Sequence, residues 1–206
     1  MLYGLCGSSG TGKTTLAKAV AESLCIEFRP TSITASAKKH GLDAVGLMTI
    51  KQRMQLQWAL LHDHLEMLKE AQRPLIVDRT PIDMIAYMLA EVDMFSHMRL
   101  SAEEILEIEE YKDACLKATV LNYDHVFVTC QLPTYQVSST RPADNRAYQT
   151  HSQLIMEGAL YSLTGEVDFT IMRTDDPDER HDHVHDTIVA RLDAIDALRR
   201  SAKHVH

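Results

Sequence analysis

The sequence predicts an α/β fold in which a parallel sheet is flanked by helices in three layers. Two observations carry that prediction. Short apolar runs, each the length of one buried strand, alternate with segments of helical period. Between the first run and the first helical segment lies a glycine-rich turn ending in Gly-Lys-Thr, which is the strand–loop–helix context a phosphate-binding turn requires.

The elements follow in order. Leu2–Cys6 is the first strand and Thr14–Leu24 the first helix. Ile26–Arg29 reads as a short second strand ended by Pro30, which has no N–H to give a ladder. Residues 31 to 48, with Gly41 and Gly46, are weakly patterned. Thr49 with Gln52 three residues on forms a capping box, and Ile50, Met54, Trp58, Leu61, Leu65 and Leu68 then make a helical stripe. Pro74 to Asp78 is a buried strand ending in a carboxylate. Thr80 as N-cap and Pro81 at the first helical position open a helix to about Val92. Ser101 with Glu104 is a second capping box, for a helix to about Leu121. Val126–Cys130 is another buried strand, and residues 133 to 146 are polar and turn-rich. A helix from about Arg146 to Leu163, a strand Val167–Met172 and a helix from about Pro177 to Arg200 follow. The last helix is striped by Val184, Ile188, Leu192 and Ile195.

With 206 residues and no repeat, low-complexity tract or linker, the chain reads as one domain over residues 1–206. A hydrophobic fraction of 45% and a charged fraction of 24% suit a soluble globular protein. The net charge of −8 argues against a broad nucleic-acid or membrane surface, while leaving room for a local basic cleft. The four cysteines form no C-x-x-C pair, and Cys6 and Cys130 lie in apolar runs as buried thiols. No stretch approaches the ~20 apolar residues of a membrane span, and the first strand begins without a targeting pattern. The expectation is a cytoplasmic protein with no membrane partner.

Residues Gly7, Ser8, Ser9, Gly10, Thr11, Gly12, Lys13 and Thr14 match G-x-x-x-x-G-K-[ST], the P-loop, and Thr15 continues it into the helix. Its glycines let backbone N–H groups curl around phosphate oxygens, and the helix that follows adds its dipole at the same point. Lys13 would reach the β- and γ-phosphates of ATP, with the Thr14 hydroxyl on Mg2+. An apolar strand ending in Asp78 has the form of a second Mg2+-holding element, and Arg79 beside it adds an anion holder. Both motifs, and the loop after Cys130, fall at the carboxyl edge of the expected sheet, where such folds bind ligands. Asp83 reads as a charge in the first turn of its helix.

At these residues the chain resembles the P-loop nucleoside and nucleotide kinases. Asp78-Arg79-Thr80-Pro81-Ile82-Asp83, with Ala86-Tyr87, looks like the Asp-Arg motif of thymidylate kinases. It also resembles the small ATPase/kinase proteins that include ribosylnicotinamide kinases and phage members. The resemblance covers most of the chain in element order and is motif-specific at 7–15, 77–87 and 141–148. It implies a three-layer P-loop NTPase fold with a helical acceptor-binding region at about 31–72 and a short lid at about 133–148. Arg141 and Arg146 would sit on that lid and neutralise the transferring phosphoryl group. On the helix after Thr49, Arg53 would meet an acceptor phosphate and Gln57 a base edge. The implied catalytic set is Lys13, Asp78, Arg79, Arg141 and Arg146. The implied partner is a small-molecule nucleotide or nucleoside, and a homodimer is compatible with it.

Three other readings stay open in the sequence. The acceptor base could lie within phage DNA, the chain could be a nucleotide-dependent ATPase or switch acting on a macromolecule, or it could bind nucleotide without catalysis. His181, His183 and His185 form H-x-H-x-H, and two of them lie one helical turn apart. Asp178, Glu179, Asp182 and Asp186 surround them, so a solvated start to the last helix is the simpler reading. The acidic run from Glu103 to Glu110 is read as a solvated face, and Trp58 as core.

Overall fold

The computed structural model describes residues 1–43, 48–94, 99–133 and 145–203. Its order is β1 (Leu2–Cys6), α1 (Lys13–Leu24), β2 (Glu27–Pro30), α2 (Ile33–Lys39), α3 (Ile50–Glu70) and β3 (Leu75–Asp78). Then come α4 (Pro81–Met94), α5 (Ala102–Asn122), β4 (His125–Thr129), α6 (Arg146–Ser162), β5 (Asp168–Met172) and α7 (Pro177–Lys203). The five strands form one sheet in the order β2-β3-β1-β4-β5, and every neighbouring pair is parallel. This is the three-layer α/β architecture that the alternating runs predict.

Side chains alternate across the strands and so build two cores, one on each face. Tyr3, Leu5, Ile76 and Phe127 point to one face and pack with Leu16, Ala17 and Val20 of α1 and Val184 and Ile188 of α7. Leu2, Cys6, Leu75, Val77, Val126 and Val128 point to the other. They meet Met54, Leu60 and Leu61 of α3, Ile82 and Ile85 of α4, Ile108, Tyr111 and Cys115 of α5, and Met156 and Leu160 of α6. β1 and β3 are buried along their whole length, which is why they read as continuous apolar runs.

Both capping boxes form as the sequence predicts. Thr49 Oγ1 accepts from Gln52 N–H at 3.3 Å while Gln52 Oε1 accepts from Thr49 N–H at 3.0 Å. Ser101 and Glu104 repeat the exchange at 3.1 and 2.7 Å. Two departures from expectation lie in the segment after α1. Pro30 lies inside β2 as its last residue, paired in register with Asp78 on an edge strand where a missing N–H costs nothing. Residues 33–39, weakly patterned in sequence and assigned no helix of their own, form α2, capped by the Ser32 hydroxyl accepting from Ala35 N–H at 3.2 Å. Seven residues are too few to show a helical stripe. What secures α2 is tertiary: Asp63 of α3 accepts from Ser36 at 2.5 Å, Lys39 at 2.6 Å and the His40 ring at 3.1 Å. No helix among the described residues is long and apolar enough to cross a membrane.

Gly4 sits at the centre of β1, where the chain has no room for a side chain. A Cβ there would lie 2.4 Å from Thr80 Cγ2 and 2.6 Å from the Tyr123 ring. Gly4→Ala should therefore lower the unfolding free energy by about 1–3 kcal/mol through overpacking. Denaturant titration with an unchanged m-value checks this. Wild-type stability in Gly4→Ala would show that Thr80 and Tyr123 can yield.

Candidate active site

β1 is flanked by β3 and β4, so the turns that leave these three strands meet at one edge of the sheet. Leu5 is in register with Asp78, and the pairing runs one residue further, with Arg79 N–H donating to Leu5 O at 2.9 Å. The P-loop and the Asp-Arg pair are thereby held side by side.

Within the loop, Gly12 takes φ 85° and serves as the N-cap of α1, a left-handed conformation that a side chain disfavours. Lys13 is 7% exposed and folds back over the loop, its Nζ donating to Gly7 O at 2.7 Å and Ser8 O at 2.8 Å. Burial lowers its pKa to about 8, opposed by the nearby Asp83 carboxylate. Ser8 and Thr11 are buried, while Thr14 and Thr15 are exposed at the mouth. The Thr11 hydroxyl lies 2.7 Å from that of Thr129, at the end of β4.

Asp78 and Thr14 meet. The Thr14 hydroxyl donates to Asp78 Oδ2 at 2.5 Å, and Asp78 Oδ1 accepts from Thr31 N–H at 2.8 Å. Behind Thr31 lies His64, 2% exposed, with Nδ1 3.4 Å from the Thr31 hydroxyl and Nε2 2.7 Å from that of Tyr123. Burial lowers the His64 pKa to about 4, so the ring is neutral at pH 7 and anchors the loop after β2 by hydrogen bonding alone.

Arg79 has φ 108°, a positive value in a residue with a side chain. Strain of this kind, on the order of 1–3 kcal/mol, gathers at functional positions. The guanidinium stands 5.7 Å from the centroid of the Tyr87 ring, within cation–π range. The Tyr87 hydroxyl is buried, and burial pushes its pKa up to about 12.

The remaining expected residues divide. Arg53 forms an ion pair with Glu91 of α4, Nε to Oε2 2.6 Å, and both side chains are mostly covered. Burial raises the Glu91 pKa, opposed by Arg53. Tyr148 of α6 lies near this pair and packs its ring 6.2 Å from that of Tyr87. Gln57, by contrast, turns into the core between α3 and α5, where it is 4% exposed and accepts from the Tyr111 hydroxyl at 3.1 Å. Trp58 packs edge-on against the same Tyr111 ring. Arg146 is exposed, and its guanidinium donates to Pro133 O across the base of the segment between them. Arg141 and most of the expected lid lie outside the described residues.

Three further side chains matter here, one in a role other than expected and two that the sequence does not single out. Asp83 is not a surface charge of the first helical turn. It is 1% exposed and accepts from Gly7 N–H at 3.2 Å, Thr80 N–H at 2.7 Å and the Thr80 hydroxyl at 3.0 Å. Burial raises its pKa, while Lys13, Arg79 and the two N–H donors pull it down. Gln149 of α6 donates to Ser9 O at 3.3 Å. Arg180 of α7 is 4% exposed and reaches the back of the P-loop. Only Asp83 left a signal, a carboxylate five residues after Asp78 beside an N-cap threonine. Cys130 is partly exposed at the end of β4, not fully buried as the apolar run suggested. His181 and His185 stack 5.8 Å apart, each beside the aspartate that follows it.

The sheet order and loop define a nucleotide-binding P-loop fold. A family model described as an AAA domain matches residues 3–180, and the chain belongs to that family. The fold is that of P-loop nucleoside and nucleotide kinases. A deoxyadenosine kinase from M. mycoides, solved with bound dCTP, superposes with a TM-score of 0.64 at 16% identity, over 92% of this chain and 100% of that one. The thymidylate kinase of Candida albicans gives 0.62 at 14% identity, over 93% and 92%. A NadR protein in complex with NAD and AMP-PNP gives 0.60 at 16% identity, over 91% of this chain and 48% of that one. No curated protein sequence matches this chain.

Asp83→Ala would orphan buried donors on both loops. It should lower the unfolding free energy by about 2–4 kcal/mol, given roughly 1–3 kcal/mol per unsatisfied buried group. Thr14→Ala, at the exposed mouth, should cost about 1 kcal/mol or less. Chemical denaturation of the two variants in parallel checks the order, and equal losses would refute the bridging role of Asp83.

Proposed function

We propose that this protein is an ATP–Mg2+-dependent kinase that transfers a phosphoryl group to a small nucleotide or nucleoside. One observation carries the reading: the P-loop lysine, the Thr14–Asp78 pair and Arg79 converge on one sheet edge in a fold shared with complete nucleoside and nucleotide kinases. An ATPase needs the first two, whereas the adjacent arginine suits transfer to a second small molecule.

In this reading the loop N–H groups and Lys13 hold the donor phosphates. The Thr14 hydroxyl and the Asp78 carboxylate are hard oxygen donors held side by side, and once their mutual hydrogen bond opens they suit Mg2+, which keeps most of its waters and takes few protein ligands. When bound, the ion would neutralise charge on the donor phosphates. Both Asp78 oxygens are engaged, by Thr14 and by Thr31 N–H, which supports a holding role over that of a free base. Arg79 faces the transferred group, and Arg146 and Arg141 complete the clamp from the lid at about 133–148. Catalysis then rests on positioning and on charge already in place.

The acceptor would enter over α3 and α4, beside Arg53, Glu91, Tyr87 and Tyr148. Arg53 comes with its charge matched by Glu91. Such a pair offers a donor and an acceptor together, which suits the edge of a base better than a lone phosphate. Gln57, engaged with Tyr111, supports α3 from behind and leaves base contact to the pair.

Labelled-ATP assays across nucleosides and nucleoside monophosphates test the reading. Transfer to at least one acceptor is expected, falling at least about 100-fold in Asp78→Asn. Brisk ATP hydrolysis with no transfer to any acceptor would sink it in favour of an ATPase. The pH dependence gives a second test. Free Lys13 loses its proton near pH 8, while a bound triphosphate favours the ammonium form. Binding above that pH therefore takes up a proton, and ATP affinity should fall by up to about tenfold per pH unit. Titration calorimetry from pH 7 to pH 9.5 reads this slope. Lys13→Arg, which stays charged, should flatten it, and an unchanged slope in that variant would assign the proton elsewhere.

A further inference from the structure

We propose that Arg180 is a positioning residue for the donor phosphates, fixing the Thr11–Gly12 peptide so that the Gly12 N–H faces the ligand. The proposal rests on the triphosphate-binding part of the reading above.

Arg180 stands in the first turn of α7 and is 4% exposed. Its donors reach three segments of the sheet edge. Nε donates to Thr174 O at 2.7 Å in the turn after β5, one terminal nitrogen to Thr11 O at 2.9 Å in the P-loop, and the other to Cys130 O at 3.0 Å after β4. All three acceptors are main-chain carbonyls. Among the described residues Arg180 has no ion pair, so its charge stands behind the loop without a carboxylate in contact. A planar fork brings a separate nitrogen to each of the three carbonyls in a fixed direction, whereas a lysine carries all its donors on one freely rotating nitrogen.

The consequence follows from peptide geometry. In a planar trans peptide the carbonyl and the next N–H point in opposite directions. Turning Thr11 C=O toward Arg180 sends the Gly12 N–H the other way. Gly12 is exposed, and its N–H has no acceptor among the described residues. Gly12, with φ 85° and no side chain, is also where the peptide could most easily flip. A flip would aim a carbonyl oxygen at the phosphates. Arg180 opposes it with a charge-assisted bond in a buried setting. Its three hydrogen bonds hold it in place, and further along α7 Val184 and Ile188 lie in the core with Leu16 and Val20 of α1. The loop is thus preorganised from behind by a helix far off in sequence.

Calorimetric titration of Mg2+–ATP and of inorganic tripolyphosphate into wild type, K13A, R180Q, R180K and V184A tests this. R180Q should lose at least about tenfold in affinity for both ligands, because the effect lies in the phosphate cradle. R180K, with charge but no fork, should fall between R180Q and wild type. V184A weakens the seat of α7 without touching the loop. It should lower Tm yet keep ATP affinity within about twofold of wild type. ATP affinity of R180Q within twofold of wild type would overturn the proposal, as would equal losses in R180Q and V184A at matched Tm. If R180Q does not fold, R180K decides, and wild-type affinity there would refute the role of the fork. Failure of wild type to bind ATP, or wild-type binding by K13A, would remove the triphosphate reading itself and the role of Arg180 with it.

Discussion

Asp83 is the carboxylate on which the site depends. It accepts from the first N–H of the P-loop and from both the N–H and the hydroxyl of Thr80, so two turns that leave different strands share one buried anchor. The neighbouring strands explain why one residue suffices. β1 and β3 are in register to Leu5 and Asp78, and Arg79 N–H extends the ladder by one more bond. Asp83 then ties the two turns together just beyond the strand ends. Its burial disfavours the charge, and Lys13 and Arg79 offset part of that cost. The same two cations are the ones that would face phosphate, so the anchor of the fold and the charge of the site belong to one cluster.

A second layer holds each group from behind. His64 and Tyr123 back Thr31, which donates to Asp78. Tyr87 lies under the Arg79 guanidinium, and Gln149 reaches Ser9 from α6. Arg180 closes the rear. None of these side chains belongs to the loop whose geometry it sets. Preorganisation of this kind places donors and charges before a ligand arrives, which is where electrostatic catalysis draws its strength.

Legibility in the sequence followed the range of the interactions. Elements set by local chemistry were readable: the two capping boxes, the apolar strands and the Gly-Lys-Thr turn all appear where their spacing predicts. Thr14 and Asp78 were readable as partners because each belongs to a motif with a fixed place on a parallel sheet. α2 was not, since its seven residues lean on Asp63 of another helix. Arg180 was hidden among acids at a helix start and looked like solvated surface, yet two of its three partners lie 169 and 50 residues away. Arg53 and Gln57 share a helix face in projection, but Glu91 draws one toward α4 while Tyr111 holds the other in the core. Periodicity reports which face a residue occupies, and only the packed partners say what it meets there.

The most direct measurement is a crystal structure with a bisubstrate analogue that joins adenosine to a second nucleoside through a phosphate chain. The account predicts phosphates on the N–H groups of residues 7–14, Arg79 against the chain, and the second nucleoside beside Arg53, Glu91 and Tyr148. Phosphates seated away from the P-loop, or a second nucleoside with no contact to α3 or α4, would contradict it.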